Sequence, residues 1–242
     1  LHGCAGTLKP VPRDRNQRPR ISPPGRSGTV TRRLRAGRRA PATPDAGPCD
    51  ARGVAPEART LHTTRLLLRP LTGADVAAIC EYRDDPEVAR YQGWERCHEA
   101  DALALVASLA DARPGAPGEW FQWGIEERSS GALIGDCGLK TLADPRLGMI
   151  GYTLGRGHQG QGFATEALRA VVDLAFGRLA MHRLSASVDG DNLRSLALLE
   201  RLGWRREAHH RRSEWFKGEW RDDLIYAQLH DEWSERRAVP LR

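Results

Sequence analysis

Between residues 152 and 168 the chain reads YTLGRGHQGQGFATEAL, and four of the eight positions from 155 to 162 are glycine. The apolar run at 147–154 that precedes them predicts a strand. After them Ala164, Ala167, Leu168, Val171, Val172 and Ala175 recur at helical spacing, which predicts a helix over 163–176. The glycines therefore lie in a strand-to-helix connection, and that position limits what can surround them. Without a Cβ, their backbone can come close to a ligand. The first turn of the helix presents N–H groups with no partner inside the helix, at the positive end of its dipole. Together these features make a cradle for phosphate. A bare turn is satisfied by one or two glycines, so four argue for a ligand.

Three phosphate motifs compete for this segment. A Walker loop requires Lys after its last glycine; Gly160 is followed by Gln161, which excludes it. The dinucleotide fingerprint G-x-G-x-x-G is present in letters as Gly155, Gly157 and Gly160, and would make the chain a nicotinamide-dependent oxidoreductase. Against it, the acidic residue that ends the next strand, Asp189, lies 29 positions past Gly160, where the fingerprint expects about 20. The strands before the loop also read as a hairpin, whereas the fingerprint opens a βαβ unit. The third motif is Q-x-x-G-x-A, carried by Gln159, Gly162 and Ala164.

The rest of the chain organises around this connection. Residues 64–70 predict a short strand ended by proline, 73–82 a helix, 86–91 a helical turn, and 99–110 a helix with Leu103, Val106 and Leu109 on one face. Residues 120–126 and 133–142 predict a hairpin across 128–131. Residues 183–188 predict a strand, 192–202 a helix that begins at a good cap, and 204–215 with 220–229 two strands around Lys217 and Gly218. The expected fold class is α/β: a mixed, mostly antiparallel central sheet with helices on both faces. Tryptophans 120, 123, 204, 215, 220 and 233 read as core or sheet-face packing, and Trp94, between helices, as a candidate lining of an acceptor site.

Residues 1–60 contain no aromatic residue and no periodic apolar run, so they are expected to be a disordered Pro/Gly/Arg-rich segment. A globular domain is expected over 61–236, with 237–242 a C-terminal tail. Of the 37 Lys+Arg, 13 lie in residues 1–60 against 4 of the 31 Asp+Glu, a net of +9 that leaves −3 for the remainder. The total of +6 is therefore no sign that the globular part binds nucleic acid; a binding protein with a nucleic-acid arm in the first 60 residues stays open as an alternative. The five cysteines, Cys4, Cys49, Cys80, Cys97 and Cys137, lack C-x-x-C spacing, and His182, His209 and His210 lack metal spacing. No metal is expected, and the thiols read as reduced and cytoplasmic. No apolar run approaches the roughly 20 residues of a membrane span.

The segment GQGFATEAL with its Q-x-x-G-x-A resembles the acyl-CoA pyrophosphate loop of the GNAT acetyltransferases. Four further stretches resemble that family in order: TRLLLRPL at 64–71, LIGDCGL at 133–139, NLRSLALLERLGW at 192–204, and FKGEWRDDLIYAQL at 216–229. The match spans residues 61–233 and is closest to the branch of ribosomal-protein alanine and serine N-terminal acetyltransferases. The resemblance implies acetyl transfer from acetyl-CoA to a primary amine, on a protein N-terminus or a small molecule, by direct attack in a ternary complex. It implies a monomer or homodimer and no membrane partner. It also implies that the strand at 150–154 splays from the strand at 183–188, with the pantetheine arm in the gap. Leu154, Gln159, Gly160, Gln161, Gly162, Phe163, Ala164 and Thr165 would hold the cofactor, with Asn192 on the pantetheine. A backbone N–H near Leu154 would stabilise the oxyanion. Many relatives place a Tyr acid seven residues after the Asn; here that position is Leu199, and Ser195 is the replacement candidate. Asp136 is the first choice of general base, ahead of Glu126, Glu214 and Glu219.

Overall fold

A computed structural model describes residues 56–238. The expectations for the basic segment before residue 56, including Cys4 and Cys49, and for residues after 238 lie outside the described residues. Eight strands form one sheet: β1 (Leu61–His62), β2 (Leu66–Pro70), β3 (Trp120–Glu127), β4 (Leu133–Thr141), β5 (Leu147–Leu154), β6 (Arg183–Asp189), β7 (Arg205–Phe216) and β8 (Glu219–Leu229). Their spatial order is β1-β2-β3-β4-β5-β6-β8-β7. Every neighbouring pair is antiparallel except β5 with β6. The six helices are α1 (Val76–Arg83), α2 (Pro86–Ala89), α3 (Glu99–Ser108), α4 (Phe163–Asp173), α5 (Leu193–Arg201) and α6 (His230–Ala238). None is long and apolar enough to cross a membrane.

The period-2 alternation of the strands separates two faces. Asp136 on β4 receives hydrogen bonds from Tyr82 and Arg83 of α1, so the even positions of β4 face α1. The opposite face carries Phe121, Trp123, Ile125, Cys137 and Leu139, all at 1% exposure or less. The fully buried Ala167, Leu168 and Val171 of α4 cover it. A Cβ added to Gly148 would meet both Leu139 and Leu184, which carries this face across to β6. Tyr226 lies beyond it on β8, and its hydroxyl donates to Glu200 of α5. α4 and α5 therefore share one face and α1 takes the other, as the fold class requires.

The structure differs from expectation in four places. The edge pair β1 and the terminal helix α6 were not anticipated, because α6 has no buried residue and no apolar stripe. α6 is tied down by Trp233, whose indole N–H donates to Asp173 (2.7 Å) and whose ring lies 5.6 Å from Phe176. The long helix expected over 163–176 is α4 followed by a π-turn, Leu174–Arg178. Trp215 and Trp220 are not packed: they form an edge-to-face pair at 58% and 56% exposure.

β4 and β5 approach closely at Gly135. A Cβ there would lie 2.3 Å from the Thr153 carbonyl oxygen and 2.9 Å from the Leu154 Cα, backbone atoms that cannot rotate away. Gly135→Ala should therefore destabilise the chain by about 1–3 kcal/mol through overpacking. Thermal melting checks this, and a variant that melts with the wild type would show that the strands can part at that point.

Candidate functional site

Among the described residues the only parallel pairing covers three residues. Leu147, Gly148 and Met149 of β5 face Arg183, Leu184 and Ser185 of β6, and the ladder then stops. β5 continues against β4 as far as Leu154, and β6 continues against β8 as far as Asp189. Residues 150–154 and 186–189 therefore line a gap that opens toward the C-terminal ends of both strands. This is the splay expected from the sequence, beginning at Ile150.

The glycine-rich connection closes the end of the gap. Gly155 N–H donates to the Ile134 carbonyl (2.8 Å), fixing the exit from β5. Gln159 donates from Nε2 to the Leu154 carbonyl (2.9 Å) and accepts at Oε1 from Arg194 of α5 (2.7 Å), so it ties β5 to α5. Gln161 Nε2 donates to the Gly157 carbonyl (2.9 Å). Gly160 and Gly162 have φ of +77° and +82°, where L side chains are strained. A Cβ on Gly157 or Gly160 would meet nothing within 4 Å, so the loop presents bare backbone to open space. Gly162 is the N-cap of α4 and supplies no side-chain cap. The N–H groups of Phe163, Ala164 and Thr165 thus point outward from an uncapped helix end, where an anion is stabilised.

A clamp from the turn between β1 and β2 steadies this end. Glu166, in the first turn of α4, accepts from Thr63 Oγ1 (2.6 Å), Arg65 N–H (2.8 Å) and Arg65 Nε (2.7 Å). Burial alone would raise its carboxyl, but these donors outweigh burial and hold it below the ordinary value. Arg65 also donates to the Gln161 carbonyl (3.0 Å) and lies 4.4 Å over the Phe163 ring.

Asn192 and Ser195 stand at the start of α5. Asn192 Oδ1 accepts the Ser195 N–H (3.2 Å), so this oxygen is spent as the N-cap and only the amide NH2 is left for a ligand. Ser195 is 7% exposed. Leu199 is fully buried.

Asp136 sits differently from the base expected. It is 2% exposed, and its two oxygens accept from Tyr82 Oη (2.5 Å), Arg83 Nη2 (2.9 Å) and Gln122 Nε2 (2.5 Å). Burial and the Asp136 charge push the Tyr82 phenol well above its ordinary value, so it remains a donor. A carboxylate ion-paired and hydrogen-bonded in this way anchors β4 to α1. Glu126 is paired with Arg69 (2.5 Å) and Glu219 with Arg221. Glu214, on β7, is half-buried and opposite Arg221 in register.

Asp189 was not among the candidate bases. It ends β6 at the mouth of the gap, is 6% exposed, and accepts the Asp191 N–H (2.8 Å) with Arg221 at 3.7 Å. Burial raises its carboxyl above the ordinary aspartate value despite both contacts. The available signal was a strand-end aspartate running straight into a G-D-N turn. Trp94, the suggested acceptor lining, donates to the Arg83 carbonyl (3.1 Å), and the Arg83 guanidinium stacks 4.5 Å from its ring. β5, α4 and β6 do form a parallel strand–helix–strand unit, but its strands pair over three residues and the other neighbour of β5, β4, is its antiparallel hairpin partner, as the sequence predicts against a dinucleotide fold.

Residues 65–205 match the family model described as an acetyltransferase (GNAT) domain. The chain is 32% identical over 181 residues to the uncharacterized N-acetyltransferase p20 of Bacillus licheniformis, covering 72% of this chain and 98% of that one. It is 33% identical over 185 residues to the ribosomal protein uS5 alanine N-acetyltransferase of Escherichia coli, covering 73% and 94%. The fold is shared with a GNAT-family acetyltransferase of Bacillus anthracis (TM-score 0.65, 24% identity, 72% of this chain and 99% of that one). It is also shared with Mycobacterium smegmatis RimJ in complex with CoA-disulfide (TM-score 0.59, 28% identity, 69% and 83%).

The Asp136 anchor has a measurable consequence. Asp136→Ala leaves the Arg83 charge without its buried partner, which costs about 3–5 kcal/mol. At roughly 2–4 °C per kcal/mol for a domain of this size, melting should fall by about 10 °C. Unchanged melting with lost activity would instead restore Asp136 as the base.

Proposed function

The chain belongs to the GNAT family of acetyl-CoA-dependent N-acetyltransferases, and from that premise we propose that it acetylates the α-amine of a protein N-terminus by direct attack of that amine on the thioester. One observation carries the reading: the gap between β5 and β6 ends on an uncapped, glycine-rich helix N-terminus. Beyond Met149 the edge of β5 that faces β6 leaves the ladder with it and offers main-chain groups to the amides of a pantetheine arm, in the manner of an added strand. The backbone from Gly160 to Thr165 receives the pyrophosphate, with Gln159 and Gln161 holding the loop in shape. The Asn192 amide NH2 is placed for the same arm.

The chemistry then needs three groups. A main-chain N–H near Leu154 stabilises charge on the carbonyl oxygen as the amine adds. Asp189 takes the proton from the attacking amine, directly or through water, its carboxyl made more basic by burial. Ser195 hydrogen-bonds the departing thiolate and relays to it a proton taken up from water, so that the hydroxyl is restored. An α-amine, with a pKa near 8, is freed of its proton more readily than an alkyl amine near 10. The likeness to a relative that acts on a ribosomal protein alanine favours the same class. The reading also places the reaction in the cytoplasm, in keeping with the free thiols Cys80, Cys97 and Cys137.

Thermal melting of the full chain with acetyl-CoA, CoA and NADH in parallel tests the cofactor. Acetyl-CoA at a hundred times its Kd should stabilise by about 2.7 kcal/mol, a rise of roughly 5–10 °C. NADH should give no shift, and a rise with NADH alone would overturn the reading. Thiol release with Ala- and Ser-starting peptides against spermidine then assigns the acceptor; the peptides should be preferred.

The pH profile tests the base. Because burial raises Asp189, kcat/KM should fall as pH drops through a value above the ordinary aspartate range, where the carboxylate is protonated and cannot accept. Asp189→Asn should cost about 10²–10⁴-fold in kcat and remove that acid limb. A variant that keeps the limb would leave the proton to another group.

A further inference from the structure

The segment from Asp84 to Cys97 makes a closed loop over the mouth of the gap. Its ends are held together by the Cys97 N–H, which donates to Asp84 Oδ1 (2.9 Å). It starts from the end of α1 beside β5, where a Cβ on Gly155 would lie 3.3 Å from the Tyr82 Cβ. It reaches the turn after β6, where Tyr91 Oη donates to the Asp191 carbonyl (3.1 Å). The loop thus runs from the exit of one splayed strand to the exit of the other, on the α1 face. That is also the face of Thr153 and Ser187, by register with Asp136 and Met149.

The third attachment comes from a distant element. Lys217 and Gly218 form the two-residue turn between β7 and β8, with φ of +48° and +85°, as a type I′ hairpin requires. Lys217 Nζ reaches back to the loop and donates to the Ala89 carbonyl (2.8 Å) and the Trp94 carbonyl (2.7 Å). Its fixed partners among the described residues are these two carbonyls and the face of the adjacent Phe216, 5.5 Å away. Burial at this contact lowers the ammonium from the ordinary lysine value, and the charge of Glu95 only partly offsets it. An ammonium held by carbonyls and by no paired carboxylate is a weaker tie than the Arg83–Asp136 pair at the loop's other end.

We propose that Lys217 is a positioning residue that latches the loop at 84–97 across the mouth of the gap, so that the acceptor amine enters between this loop and the ends of β5 and β6. The role rests on the acetyl-transfer reading in taking that face as the acceptor's side. The latch itself is a matter of structure and is tested without an acceptor. The Arg83–Trp94 stack and the Asp136 anchor fix the α1 end of the loop, and Lys217 fixes the far end, where a chain terminus would have to pass. Releasing the latch changes acceptor access while leaving the phosphate loop, which Lys217 does not touch, in place.

Lys217→Gly removes the ammonium at a position whose φ favours glycine, so the hairpin turn is preserved. Hydrogen exchange followed by mass spectrometry on the full chain should show peptides spanning 86–96 exchanging about tenfold faster or more, with peptides of β4 and α4 unchanged. Lys217→Arg, which keeps a cation able to donate to both carbonyls, should restore slow exchange. In thiol-release kinetics with an Ala-starting peptide and with spermidine, the glycine variant should raise the acceptor KM by about three- to tenfold and leave the acetyl-CoA KM unchanged. Unchanged exchange at 86–96 overturns the latch, whatever the activity. Faster exchange with an unaltered acceptor KM overturns its positioning role. Absence of any turnover or cofactor protection would strike the acetyl-transfer reading, while the exchange result still decides the latch.

Discussion

β5 and β6 hold each other over three residues and then part, and the rest of the molecule is arranged around that short ladder. A parallel pair normally continues until its hydrogen bonds run out, so parting early requires that each strand have a better partner elsewhere. Both do. β5 stays paired with β4 to Leu154, and the Gly155 N–H continues the tie to Ile134. β6 stays paired with β8 to Asp189, where the next N–H, Gly190, donates to Asp222. The sheet is thus two antiparallel sets joined by three residues. The inner edge left on each side is a row of main-chain groups that burial would make costly, and a long, amide-bearing substrate is a natural complement.

Two kinds of electrostatics maintain this opening. At the phosphate end the chain leaves donors exposed: no side chain caps α4, and the glycines keep Cβ atoms out of the way. The Glu166 clamp holds the helix start in place while leaving its N–H groups facing outward. At the acceptor end the chain does the reverse and satisfies its charges internally. Asp136 is saturated by Tyr82, Arg83 and Gln122, and Arg221 is shared among Asp189, Asp191 and Glu219. Those three donors tie Asp136 to α1 and β3. Asp189 is buried with Arg221 at 3.7 Å, and burial raises its carboxyl above the ordinary aspartate value.

What the sequence disclosed follows from the range over which each feature is encoded. α4 was readable because its buried residues repeat within eleven positions, and the loop because its glycines are adjacent. The hairpin turn at Lys217 and Gly218 and the cap at Asn192 are likewise local. The fate of Asp136 was not readable, since its three donors lie 54, 53 and 14 residues away and meet only in the fold. α6 escaped because it docks through Trp233 on Asp173 and Phe176 and through polar ties such as Arg237 with Asp173 and Arg236 with the Leu202 carbonyl, instead of an apolar stripe. Trp215 and Trp220 read as core or sheet-face packing, and they pair with each other, half exposed, near the tip of a hairpin whose outer strand is nearly all exposed. Residue type alone could not distinguish these cases; the partner's distance along the chain did.

The same distance argument explains why, on the proposed reading, the acceptor side is built from several elements while the phosphate cradle is built from one stretch of chain. A phosphate cradle needs only a backbone shape, which seventeen consecutive residues can carry. An entrance that must admit one amine and reject water needs walls set independently of one another. Here α1 supplies one wall, and the Asp136 pair fixes it to the sheet. The turn after β6 supplies a second, through Asp191 and Tyr91. The β7–β8 turn supplies the third, through Lys217. The strongest of these ties, the ion pair of Arg83 with Asp136, is buried; the other two end on main-chain carbonyls. On the proposed reading, this ranking makes the Lys217 side of the loop at 84–97 the part that changes in the hairpin turn would release first, with its α1 root still held by the buried pair.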